Sequence, residues 1–197
     1  MRRCTGRWLL ALVLALPLAA MAADASDSPE IAVAVRRDGG AVVVDLNWRV
    51  DATPQQAWGV LTDYDHMASF VSSLTASRIV ARSGGSLEVA QTRHFGIGLF
   101  GLDLDDLREI TLTPPREIQS TLIRGDMRAS TFTTRLVPEG DGTRIFGHGR
   151  FIPDRWIPPV IGTALLESEM RKQIAEFRAE ILRRLRGAAR QATRPSV

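Results

Sequence analysis

The chain has 197 residues, of which 45% are hydrophobic, 24% charged and 6% aromatic, with 16 Gly, 10 Pro and one Cys. Those proportions exclude a collagen-like chain, a disulfide scaffold and wholesale disorder, and the length suits one domain. The formal charge of +3 sits in the first residues rather than in the body of the chain.

Arg2, Arg3 and Arg7 form a positive start, Trp8 to Ala20 an apolar run, and Ala20-Met21-Ala22 a small-x-small site. This is the three-part pattern of a secretory signal, with cleavage expected after Ala22 and a periplasmic or secreted destination. The run is shorter than the roughly 20 apolar residues of a spanning helix. Cys4 precedes it, whereas a lipoprotein signal needs its Cys after it. Cleavage removes three of the 25 basic residues, none of the 22 acidic ones, and the only thiol. The two signs then balance, so the excess positive charge of a nucleic-acid binder is missing and no nucleic-acid partner is expected. No cofactor motif is present, and export argues against ATP- or NAD-dependent chemistry.

Residues 23–30 are small and polar and read as a flexible lead-in. Strands are expected at 31–36 and 41–50, joined by the hairpin signal Asp38-Gly39-Gly40. Thr53-Pro54-Gln55-Gln56 carries an N-cap, a first-turn proline and a capping-box Gln, and predicts a short helix over 54–63. A second short helix is expected at 67–71. Six strands follow, at 77–81, 87–94, 107–113, 117–124, 131–137 and 143–152, separated by Gly, Pro, Ser and Asp turn chemistry in the spacing of an antiparallel meander. Leu166, Met170, Ile174, Phe177, Ile181 and Leu185 then recur three and four residues apart, the apolar stripe of one long helix over 163–185. One domain is expected over 31–187, with a basic disordered tail at 188–197.

This order of elements predicts an α+β helix-grip fold, a curved antiparallel sheet wrapped around a long C-terminal helix. Val50-Asp51-Ala52-Thr53-Pro54 through Ala57-Trp58-Gly59-Val60-Leu61-Thr62-Asp63-Tyr64 resembles the opening of the START-like, or SRPBCC, superfamily. Within it, the chain is most similar to the polyketide cyclase/dehydrase and coenzyme Q-binding branch. Asp63-Tyr64-Asp65-His66 with Phe70-Val71, and Arg124-Gly125-Asp126-Met127-Arg128, are further landmarks, and the resemblance covers about 45–185. It implies a cavity between sheet and C-terminal helix for an apolar ligand. It does not imply a reaction, since the superfamily includes lipid carriers, cyclases and oxygenase domains.

On this reading Leu166, Met170, Ile174 and Phe177 form the helix wall of the cavity. Phe132 and His148 are candidates from the strands. Arg144, Phe146, His148 and Arg150 share one face of their strand, while Ile145, Gly147, Gly149 and Phe151 share the other, and either face could line the cavity. Phe95, Ile97, Leu99 and Phe100 alternate with three glycines. They read either as a gate that touches membrane during ligand exchange or as a hairpin whose alternate side chains fill the core.

The three histidines, His66, His94 and His148, are far apart and lack the pair spacing of a metalloprotease. No metal site is expected from them, nor from Asp103, Asp105 and Asp106, which lack the spacing of a calcium loop and read as a solvated edge. Asp63, Tyr64 and His66 read as a helix terminus with local hydrogen bonds. Binding of a hydrophobic small molecule, lipid or polyketide/quinone-like, is therefore favoured over catalysis. A cyclase or dehydratase, or a ligand-free envelope module, are the alternatives.

Overall fold

A computed structural model describes residues 31–97, 100–154 and 159–192, with side chains given for all of these except 95–97, 100–102 and 159–161. Strands β1 (Ile31–Asp38) and β2 (Ala41–Val50) form the first hairpin, turned at Gly39 with φ +58°. Helix α1 (Pro54–Leu61) starts with the full capping box: Gln56 N–H donates to Thr53 Oγ1, and Thr53 N–H donates to Gln56 Oε1. A single 3-10 turn, Met67–Ser69, follows. Then come β3 (Leu74–Ser83), β4 (Ser86–Ile97), β5 (Phe100–Thr113), β6 (Glu117–Gly125), β7 (Met127–Glu139) and β8 (Gly142–Pro153), and finally α2 (Pro159–Ala192).

The eight strands form one antiparallel sheet in the order β1-β2-β8-β7-β6-β5-β4-β3. It is a meander whose last strand, β8, returns to pair with β2, and α2 packs on one face. This is the α+β helix-grip expected from the order of elements. The core on that face unites Val33, Trp48 and Val50 from the first hairpin, Val89, Ile110, Leu136 and Ile145 from the meander, Val60 and Val71 from the α1 region, and Ile174, Phe177 and Ile181 from α2.

The largest departures from the sequence-based expectation are in two places. β5 begins at Phe100 rather than at 107, and β4 runs on to Ile97, because Phe95 pairs with Leu102, Gly96 with Gly101 and Ile97 with Phe100. Cross-strand hydrogen bonds supply the regularity that glycine-rich sequence withholds, so most of this segment is hairpin backbone rather than loop. The second departure is α2, which continues through the expected disordered tail as far as Ala192. One Gly in this stretch costs about 1 kcal/mol, and the flanking Ala, Arg and Gln residues are strong helix formers.

Two glycines are dictated by close approach. At the β6–β7 turn Gly125 has φ +155°, and a Cβ there would lie 2.4 Å from the Asp105 carbonyl oxygen. On β8, a Cβ at Gly149 would lie 2.3 Å from the Phe132 ring. Phe132 occupies the room that the small residues leave.

The C-terminal half of α2 is locked to the α1 region. Phe177 meets Phe70 edge-on at 5.7 Å between centroids, and the Arg184 guanidinium lies 5.7 Å above the Phe70 ring. Arg184 also donates to Asp63 Oδ2 at 2.7 Å and to Glu180 Oε1 at 2.7 Å. Toward the middle of the helix, Arg171 donates to the carbonyls of Ile31 and Val33, capping an otherwise open sheet edge.

Candidate functional site

Strand alternation sets the interior. On β4, Leu87, Val89, Gln91 and Arg93 share a face, and on β5 so do Leu104, Asp106, Arg108, Ile110 and Leu112. Leu87, Val89 and Ile110 are core residues, so the same parity carries the polar members toward the helix side of the sheet. Gln91 sits opposite Asp106 in the ladder, and Val89 opposite Arg108. The result is a charged cluster within an apolar wall. Gln91, Asp106 and Arg108 are 5%, 8% and 8% exposed, and Arg93 is half-buried.

Arg108 is held from three sides: its Nε donates to Ser120 Oγ at 2.6 Å, its Nη2 to Ser130 Oγ at 3.1 Å, and its Nη1 lies 3.6 Å from Asp106 Oδ2. Arg93 donates to Gln91 Oε1 at 2.8 Å. Gln91 in turn donates to Ser77 Oγ at 3.0 Å and toward the Met67 sulfur at 3.6 Å. Among the described residues only Gln91 hydrogen-bonds to Arg93, whose guanidinium carries five N–H donors.

Burial governs the electrostatics. It pushes the Asp106 carboxyl upward, against the pull of Arg93 and Arg108. It also lowers the affinity of both guanidinium groups for their protons, which Asp106 opposes. The Tyr64 phenol is pushed up by burial too, although the Arg108 charge opposes the rise. Asp106 Oδ1 is buried and has no hydrogen-bond partner. An orphaned buried acceptor beside a guanidinium with spare donors costs stability on its own account. Such a pair is disposed to take a polar group from a bound molecule.

The sequence-derived candidates fall in several places. Ile174 and Phe177 are buried, while Met170, Leu166 and Phe132 are half-buried. Phe95, Ile97 and Phe100 are in the β4–β5 ladder with side chains outside the described residues, and Leu99 lies outside them altogether. His148 is elsewhere: it is exposed, on the face of the sheet away from α2, and hydrogen-bonded through Nδ1 to Asp45 Oδ1 at 2.7 Å. The glycine face of β8 is the interior one, so strand parity turns His148 outward.

Asp103 and Asp105 are likewise exposed, with Asp103 bonded to His94 and Asp105 accepting from Thr92; only Asp106 of the three turns inward. Tyr64 is buried while His66 is exposed and paired to Asp63 at 2.7 Å, so these neighbours form no common centre. Among the described residues no group of His, Cys, Asp and Glu is placed to hold a metal ion. Two surface grooves, of about 560 and 590 Å³, are lined respectively by β1, β2, β7 and β8, including His148, and by α1 with the ends of β5–β7. Neither is lined by α2.

A family model for polyketide cyclase/dehydrase and lipid transport matches residues 41–185. The chain belongs to this family. Comparison with the curated proteins finds no match. Among solved structures, the chain is similar to a STAR-related lipid transfer protein fragment from Xanthomonas axonopodis at 14% identity and a TM-score of 0.65, over 80% of this chain and 96% of that one. It is also similar to the Zhui aromatase/cyclase of a Streptomyces species at 16% identity and a TM-score of 0.63, over 75% and 98%. A START superfamily protein from Mycobacterium smegmatis matches at 14% identity and a TM-score of 0.62, over 72% and 97%. At such identities the likeness is one of fold. Membership of the polyketide cyclase/dehydrase and lipid transport family, with the helix-grip architecture, points to a hydrophobic small molecule as the ligand class.

Sequence reasoning missed Arg93, Asp106 and Arg108. Their signal was present as a break in alternation. Leu87 and Val89 predict that positions 91 and 93 also face inward, and Ile110 and Leu112 predict the same of 108 and 106. Starting β5 at 107 removed Asp106 from that register.

Proposed function

We propose that this protein is an exported binding protein for a hydrophobic small molecule, a lipid or a polyketide- or quinone-like compound, held between the sheet and α2. The observation that carries the reading is the charged cluster set in an apolar wall, with an orphaned Asp106 oxygen and an Arg93 whose donors are largely uncommitted. Such a wall suits a ligand with a long apolar body and one polar end. The half-buried Leu166, Met170 and Phe132 supply apolar surface for the body. Export rests on the leader over residues 1–22, and transient membrane contact during ligand exchange is part of the same proposal.

The test is native mass spectrometry of protein purified from its own periplasm, followed by solvent extraction of any adduct. A stoichiometric apolar adduct is expected, on a polypeptide whose mass begins at Ala23. A bare mass that persists after incubation with envelope lipids counts against binding, and a full-length mass in the cytoplasm counts against export.

A cyclase or dehydratase reading has one observation in its favour. Arg93 would polarise a carbonyl oxygen, and Asp106, shifted toward its neutral form by burial, would donate a proton beside it. Turnover of a poly-β-keto substrate, lost in Asp106→Asn, distinguishes it from binding alone. His148 does not contribute to that reading, because it faces away from the helix.

A further inference from the structure

We propose that the polar end of the bound molecule is a carboxylate, received by Arg93 with Arg108 behind it and Asp106 beside it. The inference rests on the binding reading above and assigns the head-group chemistry of the same site.

The argument is one of charge and donor count. Two guanidinium groups and one carboxylate leave the buried cluster with a surplus of one positive charge, and the described residues that hydrogen-bond to it, Gln91, Ser120 and Ser130, are neutral. Tyr64, the other group that interacts electrostatically with Arg108, is held neutral by burial. A neutral head such as a hydroxyl leaves the surplus in place. A phosphate dianion overshoots it and meets Asp106 with twice the repulsion. A single carboxylate balances it.

Shape leads to the same group. Arg108 is already committed to Ser120, Ser130 and Asp106, so it contributes field rather than free donors. Arg93 has only Gln91 among its described hydrogen-bond partners, and the planar guanidinium fork matches a carboxylate through two parallel hydrogen bonds.

The experiment is a titration of the purified protein with three probes of equal chain length: dodecanoic acid, dodecanol and methyl dodecanoate, at about pH 8 where the free acid is ionised. The acid is expected to bind at least about tenfold more tightly than the alcohol. Arg93→Gln should remove the preference for the acid over the alcohol. Asp106→Asn, which removes the competing negative charge, should tighten the acid alone, an effect that a merely structural Asp106 would not produce. Equal binding of acid and alcohol by the unmodified protein overturns the carboxylate assignment while leaving hydrophobic binding intact. Failure of all three probes to bind counts against the binding reading itself. The comparison between probes needs no variant, so it decides the matter even where Arg93→Gln fails to fold.

Discussion

The two halves of the sheet bury their helix-side residues to a similar depth, but only the β4–β5 half sets polar and charged side chains among the apolar ones. In the β1–β2–β8 half, Val33, Val44, Trp48 and Ile145 are all apolar and at most 6% exposed. In the β4–β5 half, Gln91, Asp106 and Arg108 are at most 8% exposed, yet polar or charged. Phe132 stands between the halves, laid over Gly147 and Gly149. Apolar burial contributes roughly 25 cal/mol per Å². A buried ion pair contributes little or even opposes folding, because its Coulomb energy must first repay desolvation. One half therefore holds the fold together, and its stability tolerates the other.

The contrast breaks most visibly in the apolar half. Trp48→Ala is expected to cost about 3–5 kcal/mol through lost transfer energy and the cavity left behind, seen as a lower denaturation midpoint in urea. In the charged half, Arg108→Met alone should cost about 3 kcal/mol, because it leaves Asp106 buried without its nearest counter-charge. Combining it with Asp106→Leu should bring stability back to within about 1 kcal/mol of the parent, or above it, while Arg93 keeps the preference for an acidic ligand. A double variant as unstable as the single one would show that these ions support the fold rather than a ligand.

The apolar half was legible in the sequence, and the charged half was not. Val44, Leu46, Trp48 and Val50 alternate with Asp45, Asn47 and Arg49, and the Leu166–Leu185 stripe marks the buried side of α2, because periodicity reports apolar burial directly. The capping box at Thr53 is equally local and appears as expected. Arg93, Asp106 and Arg108 carry the composition of a surface, and only their register shows that they face inward. For Asp106 that register depends on β5 starting near Phe100, which is set by its pairing with β4 rather than by its own residues. His148 illustrates the same limit. Its strand was found, but which face lay inward was decided by Phe132, which needs a glycine opposite it.

The boundary between the halves gives the next effect. Gly149→Ala is expected to cost about 1–3 kcal/mol, since the new methyl displaces the Phe132 ring from its seat. The pairing of Gly149 with Phe132 predicts that Phe132→Leu combined with Gly149→Ala recovers part of the loss in a double-mutant cycle.

Outside both halves, the clasp between α2 and the α1 region titrates. The hydrogen bond from Arg183 chiefly, and that from Arg184 against the opposing effect of burial, hold the Glu180 carboxyl at about 2. Asp63 is also held low: burial raises it, but hydrogen bonds from His66 and Arg184 more than offset the rise. Both groups lie below their unfolded values, so their stabilisation is complete above about pH 4.5 and is lost as pH falls toward 2. Glu180→Gln should remove about 1–2 kcal/mol at neutral pH and flatten the acid limb of the urea midpoint against pH.

The smallest effect is expected on the far face of the sheet. His148 and Asp45 form an exposed pair, with side chains 61% and 49% accessible, and such pairs contribute little because water screens them and holding two side chains in place costs entropy. His148→Ala should change stability by less than about 0.5 kcal/mol and leave binding of the acid and alcohol probes unchanged. Its strand neighbour Gly149 faces inward, so adjacent residues test the two faces of one strand. Loss of probe binding in His148→Ala, with Arg93→Gln silent, would move the ligand to the groove lined by Ala32, Asn47, Thr133 and Phe146 on the outer face.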